Sequence, residues 1–369
     1  MKQGMESYIK KNKVLHCILK IIKNRKNTQF LNGVLSSGQN PEFLILGKEH
    51  LEIKQGKCYL LIDLQAADVG SRGFCAILRY ILAGDCIADS LEMIPYVNVE
   101  GSLYNVPGGW RGCNNMYHYY FEAPELTIKE IKEQHNYIQF RTRNIDLVYN
   151  AFSGDGEASV DGYHVTDAYL REMGRVMNQY VRLKGELKEQ FGQEIKNLFL
   201  GKRVLGGHIR GTDFNAGWEK HPIAVKAEAY FNYIDGCLEK DFDAVFLATD
   251  DESILESCKE KYSDRLLFYQ DTYRSDNGIA LHMKKSERRE NEYYLGLELL
   301  RDLYTLAACD GLISGLSQVS FCARIMKYAK GEEYPYLEVI NHGINLWRDQ
   351  EKVDSYKKKL SESGSRVTS

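Results

Sequence analysis

From Arg203 onward the chain alternates short apolar runs with amphipathic stretches, and few folds accept that pattern. Val204–Ile209, Ala244–Ala248, Arg265–Tyr269, Gly311–Ser314 and Tyr336–Ile340 read as strands. Pro222–Leu238, Ser253–Lys261, Leu295–Ala308 and Val319–Tyr328 read as the helices between them. Strands alternating with helices predict a parallel sheet covered on both faces, so the second half is expected to be a doubly wound, nucleotide-binding α/β domain. In such sheets ligands dock beyond the carboxyl ends of the strands, and chemistry is to be sought there.

The first half is less regular. Cys58–Leu64 (C-Y-L-L-I-D-L) looks like a buried strand, the turn Gly70-Ser71-Arg72-Gly73 follows, and a helical pattern runs from Phe74 to about Leu91. Between Val97 and Tyr120 the chain is rich in Gly, Asn, Tyr and Trp. That composition fits either loops presenting aromatic faces to sugar rings or a packed aromatic subcore. Val165–Phe191 reads as one long polar helix, and the loop 271–292 as either a lid or a solvated surface loop. Lys10, Lys11, Lys13, Lys20, Lys23, Arg25 and Lys26 surround apolar residues at helical spacing. This amphipathic helix is either packed on the body or a candidate peripheral contact with an anionic membrane.

The 369 residues exceed the roughly 250–300 at which single cores stop growing. We divide the chain into a basic helical lead (1–55), a first α/β domain (56–195), a second Rossmann-like domain (196–350) and a tail (351–369), disordered from Ser361. The net charge of −3 argues against a nucleic-acid partner. Nine cysteines, none in a C-x-x-C pair, fit buried thiols in a reducing compartment better than disulfides or a zinc site. No apolar run approaches the ~20 residues that span a bilayer. A cytoplasmic enzyme is the expectation.

Three segments carry chemistry. Val204–Asp213 (V-L-G-G-H-I-R-G-T-D) ends a strand in His208, Arg210 and Asp213. Arginine's planar fork suits a phosphate, although a buried charge cluster tying strand to loop fits the same residues. In Phe246–Ile254 (F-L-A-T-D-D-E-S-I), Thr249 and Glu252 have capping-box spacing, and Asp250 and Asp251 fall at the helix start. That segment is assigned mainly to the fold. Asp241-Phe242-Asp243 precedes its strand and is discounted as a metal motif. In Ile313–Phe321 (I-S-G-L-S-Q-V-S-F), Ser314, Ser317 and Ser320 lie near a helix amino end, a place for a phosphate or simply for a cap. Two phosphate-suited elements in one sheet point to a diphosphate.

Together G-H-I-R-G-T-D with His221-Pro222, F-L-A-T-D-D-E-S-I-L and S-G-L-S-Q-V-S-F-C-A-R-I-M resemble the α1,6-fucosyltransferase and nodulation fucosyltransferase group, over about residues 200–330. The resemblance implies a GT-B-like architecture of two Rossmann-like domains, the first facing the acceptor and the second the donor. It also implies inverting, metal-independent transfer from GDP-fucose, with no cofactor. Carried over, Arg210 would hold the β-phosphate, His208 and Asp302 would sit by the nucleoside, and Ser317 by the diphosphate, with Ser314 and Gln318 in the same turn. Gly70, Ser71, Arg72 and Gly73 would approach from the other domain. The family's second arginine is Gly211 here, and its proposed acidic base aligns loosely with Glu219. Asp213 is the second candidate base, or else orients Arg210.

The expected partners are a nucleotide-sugar donor and an oligosaccharide or lipid-linked glycan acceptor. Competing readings are a transferase for another nucleotide sugar and a nucleotide-sugar binding protein that has lost catalysis. A dinucleotide oxidoreductase is disfavoured, since no G-x-G-x-x-G turn opens a helix.

Overall fold

The computed structural model describes residues 44–45, 58–90, 92–140, 163, 165–284 and 286–363. The basic stretch 10–26 and residues 364–369 lie outside the described residues. The chain forms two compact units, one of residues 1–72 and 76–182, the other of 73–75 and 183–369.

The first unit contains β1 (Leu44–Ile45), β2 (Cys58–Leu64), α1 (Ala66–Val69), α2 (Phe74–Ser90), β3 (Ile94–Val99), α3 (Tyr117–Tyr120), α4 (Ile128–Gln134), β4 (Asn136–Phe140) and α5 (Asp167–Tyr180). Its sheet order is β1-β4-β2-β3, with β2 parallel to both neighbours and β1 antiparallel to β4. Tyr59 to Leu64 are buried without alternation, as expected of a central strand covered on both faces. Arg79 of α2 is fully buried, its guanidinium 3.3 Å from the Tyr169 hydroxyl on α5 and 5.3 Å from that ring's centre. The aromatic-rich segment is a subcore: Trp110, Tyr117, Tyr119, Tyr120 and Phe121 are buried, and Tyr117 stacks on Phe121 at 4.7 Å.

The single helix expected over Val165–Phe191 is two. Residues 181–184 are not helical, because Val181 and Leu183 both turn inward and the Glu122 N–H donates to the Arg182 carbonyl. The second unit takes up the chain with α6 (Gly185–Phe199) and continues through β5 (Val204–His208), α7 (Ala227–Leu238), β6 (Ala244–Ala248), α8 (Glu252–Tyr262), β7 (Leu266–Leu267), α9 (Asn291–Ala308), β8 (Gly311–Gly315), α10 (Gln318–Ala329), β9 (Tyr336–Ile340) and α11 (Gln350–Glu362). All five strands are parallel, in the order β7-β6-β5-β8-β9. The chain winds outward from β5 to β7, returns, and winds outward again from β8. The switch point of this doubly wound sheet therefore lies between β5 and β8. Helix α9 crosses β5 so closely that a Cβ on Gly206 would meet Leu306 Cδ2 at 3.1 Å and the Gly311 carbonyl at 3.2 Å.

Several boundaries differ from the sequence pattern. Arg265 does not open a strand; its guanidinium donates to the carbonyls of Leu238, Phe242 and Asp243, closing the ends of neighbouring elements. Pro222 and Ile223 do not start α7 but pair with the 343–344 strand-like segment. The stretch assigned to a tail is largely helix. Val353, Tyr356 and Leu360 of α11 recur at helical spacing and are buried, Tyr356 and Leu360 in a cluster with Ala216 and Ile279, and Asp349 caps the amino end. Among the described residues no helix is long and apolar enough to cross a membrane.

Candidate active site

Strand register brings the three chemistry-bearing segments together. His208 pairs with Ala248 on one side and Ser314 on the other, so the residues that follow all three emerge at the same carboxyl edge of the sheet. The His208 Nδ1 lies 3.3 Å from the Ser317 hydroxyl, bridging β5 and the start of α10 across the switch point. Beside it opens a cleft with ≈ 470 Å³ of empty space, lined among others by His208, Arg210, Asp250, Tyr273, Asp302 and Val319.

Arg210 is held from two sides. Its Nη2 donates to Asp213 Oδ1 at 2.7 Å and its Nη1 lies 2.6 Å from Asp250 Oδ2. The guanidinium also faces the Phe214 ring at 5.5 Å. Burial works to raise the Asp213 carboxyl, but Arg210, ahead of His282, His221 and Thr212, outweighs it and holds the group below the usual carboxylate range. Two carboxylates on one guanidinium fix the direction of its fork, which matters when the ligand is a planar or tetrahedral oxyanion.

Asp250 does more than the local pattern suggested. It accepts from the Gly211 N–H at 2.9 Å and from the Thr212 hydroxyl at 2.6 Å. Thr212 has φ +45°, a left-handed backbone that β-branched residues seldom adopt and that costs on the order of 1–3 kcal/mol. Its bond to Asp250 helps hold that conformation and so the turn that aims Arg210. The helix cap assigned to Thr249 is instead Asp251, which accepts from the Ser253 N–H at 2.9 Å. Asp251 packs so tightly on the Arg210 turn that a Cβ at position 211 would stand 2.5 Å from the Asp251 Cβ. Glycine at 211 is the residue this packing requires.

The imidazole of His208 is buried, and burial first, then Arg210, pushes its pKa down to about 3, so it is neutral at physiological pH. Asp302 on α9 goes the opposite way. Burial raises it to about 7 against the pull of Arg274 and Arg301, with Glu298 and Asp271 adding to the rise. Two cleft groups thus have ionisation states set by their surroundings, as functional sites often do.

Not every expected residue faces the cleft. Ser317 is buried and accepts from the Ser320 N–H at 3.0 Å, while Ser314 donates to the Ser320 hydroxyl at 3.0 Å. They shape the wall, and Val319 at the amino end of α10 lines the opening. Gln318 begins that helix and is half-buried. Glu219 is exposed in a turn whose next residue, Lys220, donates its N–H to the Asn345 carbonyl at 2.8 Å. Gly70, Ser71 and Arg72 belong to the first unit and Gly73 to the second. The 271–292 segment is not a solvated loop. Arg274, Ser275, Ile279 and Ala280 are buried, Ser275 exchanges backbone bonds with the 250–252 turn, and Thr272, Tyr273 and Leu281 line the cleft. Asp250, Tyr273 and Glu298 were missed by sequence reasoning. The paired aspartates at a strand end were the available signal for the first, and nothing local marked the other two. Among the described residues no group of three or more His, Cys, Asp or Glu side chains converges as metal ligands would.

Residues 161–331, just under half of the chain, match the protein family described as the N- and catalytic domains of α-(1,6)-fucosyltransferase. Among solved structures, the α-1,6-fucosyltransferase NodZ soaked with GDP-fucose is 14% identical, over 73% of this chain and 93% of that chain, with a TM-score of 0.44. POFUT1 in complex with GDP is 8% identical, over 77% of this chain and 98% of that chain, with a TM-score of 0.41. A variant of Arabidopsis thaliana FUT1 in complex with GDP is 11% identical, over 92% and 81%, with a TM-score of 0.42. Residues 161–331 are thus similar to a family of fucosyltransferases.

Proposed function

We propose that this chain transfers fucose from GDP-fucose to a glycan acceptor, with inversion and without a metal, using its two units as the two domains of a GT-B enzyme. The observation that carries the reading is Arg210, oriented by two carboxylates at the lip of a cleft on the switch point of a doubly wound sheet. As the sugar–phosphate bond breaks, the anomeric carbon gains cationic character and the departing diphosphate gains negative charge. Arg210 and the amino end of α10 meet that charge with groups already in place, which is the form of stabilisation that dominates such steps.

In this reading neutral His208 and Asp302, whose carboxyl burial raises to about 7, meet the nucleoside. The acceptor hydroxyl's proton goes to Glu219, an exposed carboxylate, while Asp213 orients Arg210. The acceptor is an oligosaccharide or lipid-linked glycan. Thermal stabilisation by a set of nucleotide sugars, followed by assay of GDP release, tests the assignment. GDP-fucose should stabilise most and should release GDP. Stabilisation by UDP-sugars alone would move the donor to another class. A second reading, donor binding without transfer, is favoured by Gly211, which stands where the family carries a second arginine. GDP binding with no donor turnover would select it.

A further inference from the structure

The first unit contains a cavity that takes no part in the cleft above. About 1320 Å³ of empty space, partly open to solvent, lies beside the amino end of β3, walled by the last turns of α2 and α5 and by residues 117–124. Asp85 of α2 stands in its wall, 1% exposed, and neither carboxyl oxygen has a hydrogen-bond partner. A buried polar group in that condition is costly and calls for an explanation.

The rest of the wall says what would supply one. Asp89, Glu92 and Glu122 join Asp85 there, with no lysine or arginine among the lining residues. Asp89 is already engaged, by Arg175 at 2.6 Å and the Tyr180 hydroxyl at 2.7 Å, so Asp85 is the carboxyl left to bind. Tyr96, Tyr117 and Tyr180 line the same space and offer faces that attract cations. The carboxylates do not converge on one point as metal ligands would. We propose that this cavity binds an organic amine, its ammonium donating to the Asp85 carboxyl and its carbon chain lying against the tyrosines.

An ammonium matches what Asp85 lacks, because it brings donors and a compensating charge to a wall of one sign. In the empty cavity burial holds the Asp85 carboxyl well above the usual carboxylate range. The ionisable groups around it are Cys86 and Asp89 on α2, Glu172, Arg175 and Tyr180 on α5, and Tyr96, His118, Glu92 and Glu122 in the wall. An ammonium beside the carboxyl favours its charged form, so the bound state is a carboxylate–ammonium pair, any proton on Asp85 leaving to solvent.

The test is calorimetry on the full chain at pH 7 and low salt, with putrescine and with 1,4-butanediol, which has the same carbon chain without charge. Putrescine should bind and the diol should bind at least roughly tenfold more weakly. Asp85→Asn, isosteric and uncharged, should keep the wild-type melting temperature and lose roughly tenfold or more in affinity. Equal binding of amine and diol, or no binding of putrescine at millimolar concentration, would each overturn the proposal. The comparison of amine with diol on the wild type decides the matter even if Asp85→Asn fails to fold. Nothing in this test depends on the donor cleft or its chemistry.

Discussion

In the second unit, Arg210 meets two carboxylates and Arg301, almost fully buried, is paired with Asp271 at 2.7 Å. In the first unit, Asp85 is as deeply buried and meets no partner, and Asp63 is satisfied by the neutral amides of Gln65, Asn98 and Gln139. The difference teaches where each unit places its charge. Around the cleft, opposite charges are paired so that a guanidinium keeps both its ionisation and its direction next to a low-dielectric wall. In the first unit Asp63 is met by amides alone and Asp85 by no hydrogen-bond partner, while Asp89 keeps an ion pair with Arg175. The first arrangement suits a highly charged anionic ligand, and the second leaves a demand for a donor.

The comparison is broken most sharply at Arg210. Arg210→Ala should lower donor turnover by a few hundred-fold, on the order of 3–4 kcal/mol in the barrier, measured as GDP released from GDP-fucose. Near-normal turnover would remove Arg210 from the chemistry. Asp250→Asn keeps the guanidinium but weakens the fork and the Thr212 turn, so kcat/KM should fall roughly tenfold, about 1.4 kcal/mol. A drop as large as that of Arg210→Ala would mean that Asp250 acts directly.

The next effects are on stability and depend on pH. Between about 6.5 and about 3 the unfolded His208 imidazole takes a proton that the folded one refuses, so stability is lost as pH falls through that window. Asp302 acts the other way. Between 3.8 and about 7 the unfolded carboxyl ionises while the folded one stays protonated, so stability is lost as pH rises. Denaturant melts should therefore show Asp302→Asn gaining on wild type more at pH 8 than at pH 4, and His208→Gln gaining more at pH 4. A pH-independent gain would contradict the burial argument for either group. The smallest effect is Ser317→Ala, which removes the α10 cap and should cost about 1 kcal/mol by the same melts.

The strand ends of the second unit were legible in the sequence because parallel strands place consecutive residues at one edge. His208, Arg210 and Asp213 follow β5 directly, and Ser317 follows β8. Asp250 was hidden for a physical reason. Thr249 and Glu252 satisfy a local capping pattern, whereas the bonds that define Asp250 reach back across the sheet to Gly211 and Thr212. The packing of 271–292 was hidden likewise, since its buried residues depend on partners far off in the chain, in α9, α11 and the 250–252 turn. In the first unit the aromatic run fitted two readings because burial of Trp110 and Tyr119 is decided by tertiary neighbours. The break at 181–184 carried no proline; inward-facing Val181 and Leu183 produced it.

The central claim is that Arg210 at the switch point reads a diphosphate. Calorimetric affinities of GDP and guanosine for the wild type and for Arg210→Ala test it most directly. GDP should bind the wild type far more tightly than guanosine, and Arg210→Ala should erase most of that gap while leaving guanosine binding unchanged. Equal affinities in the wild type, or an undiminished preference for GDP in the variant, would contradict it.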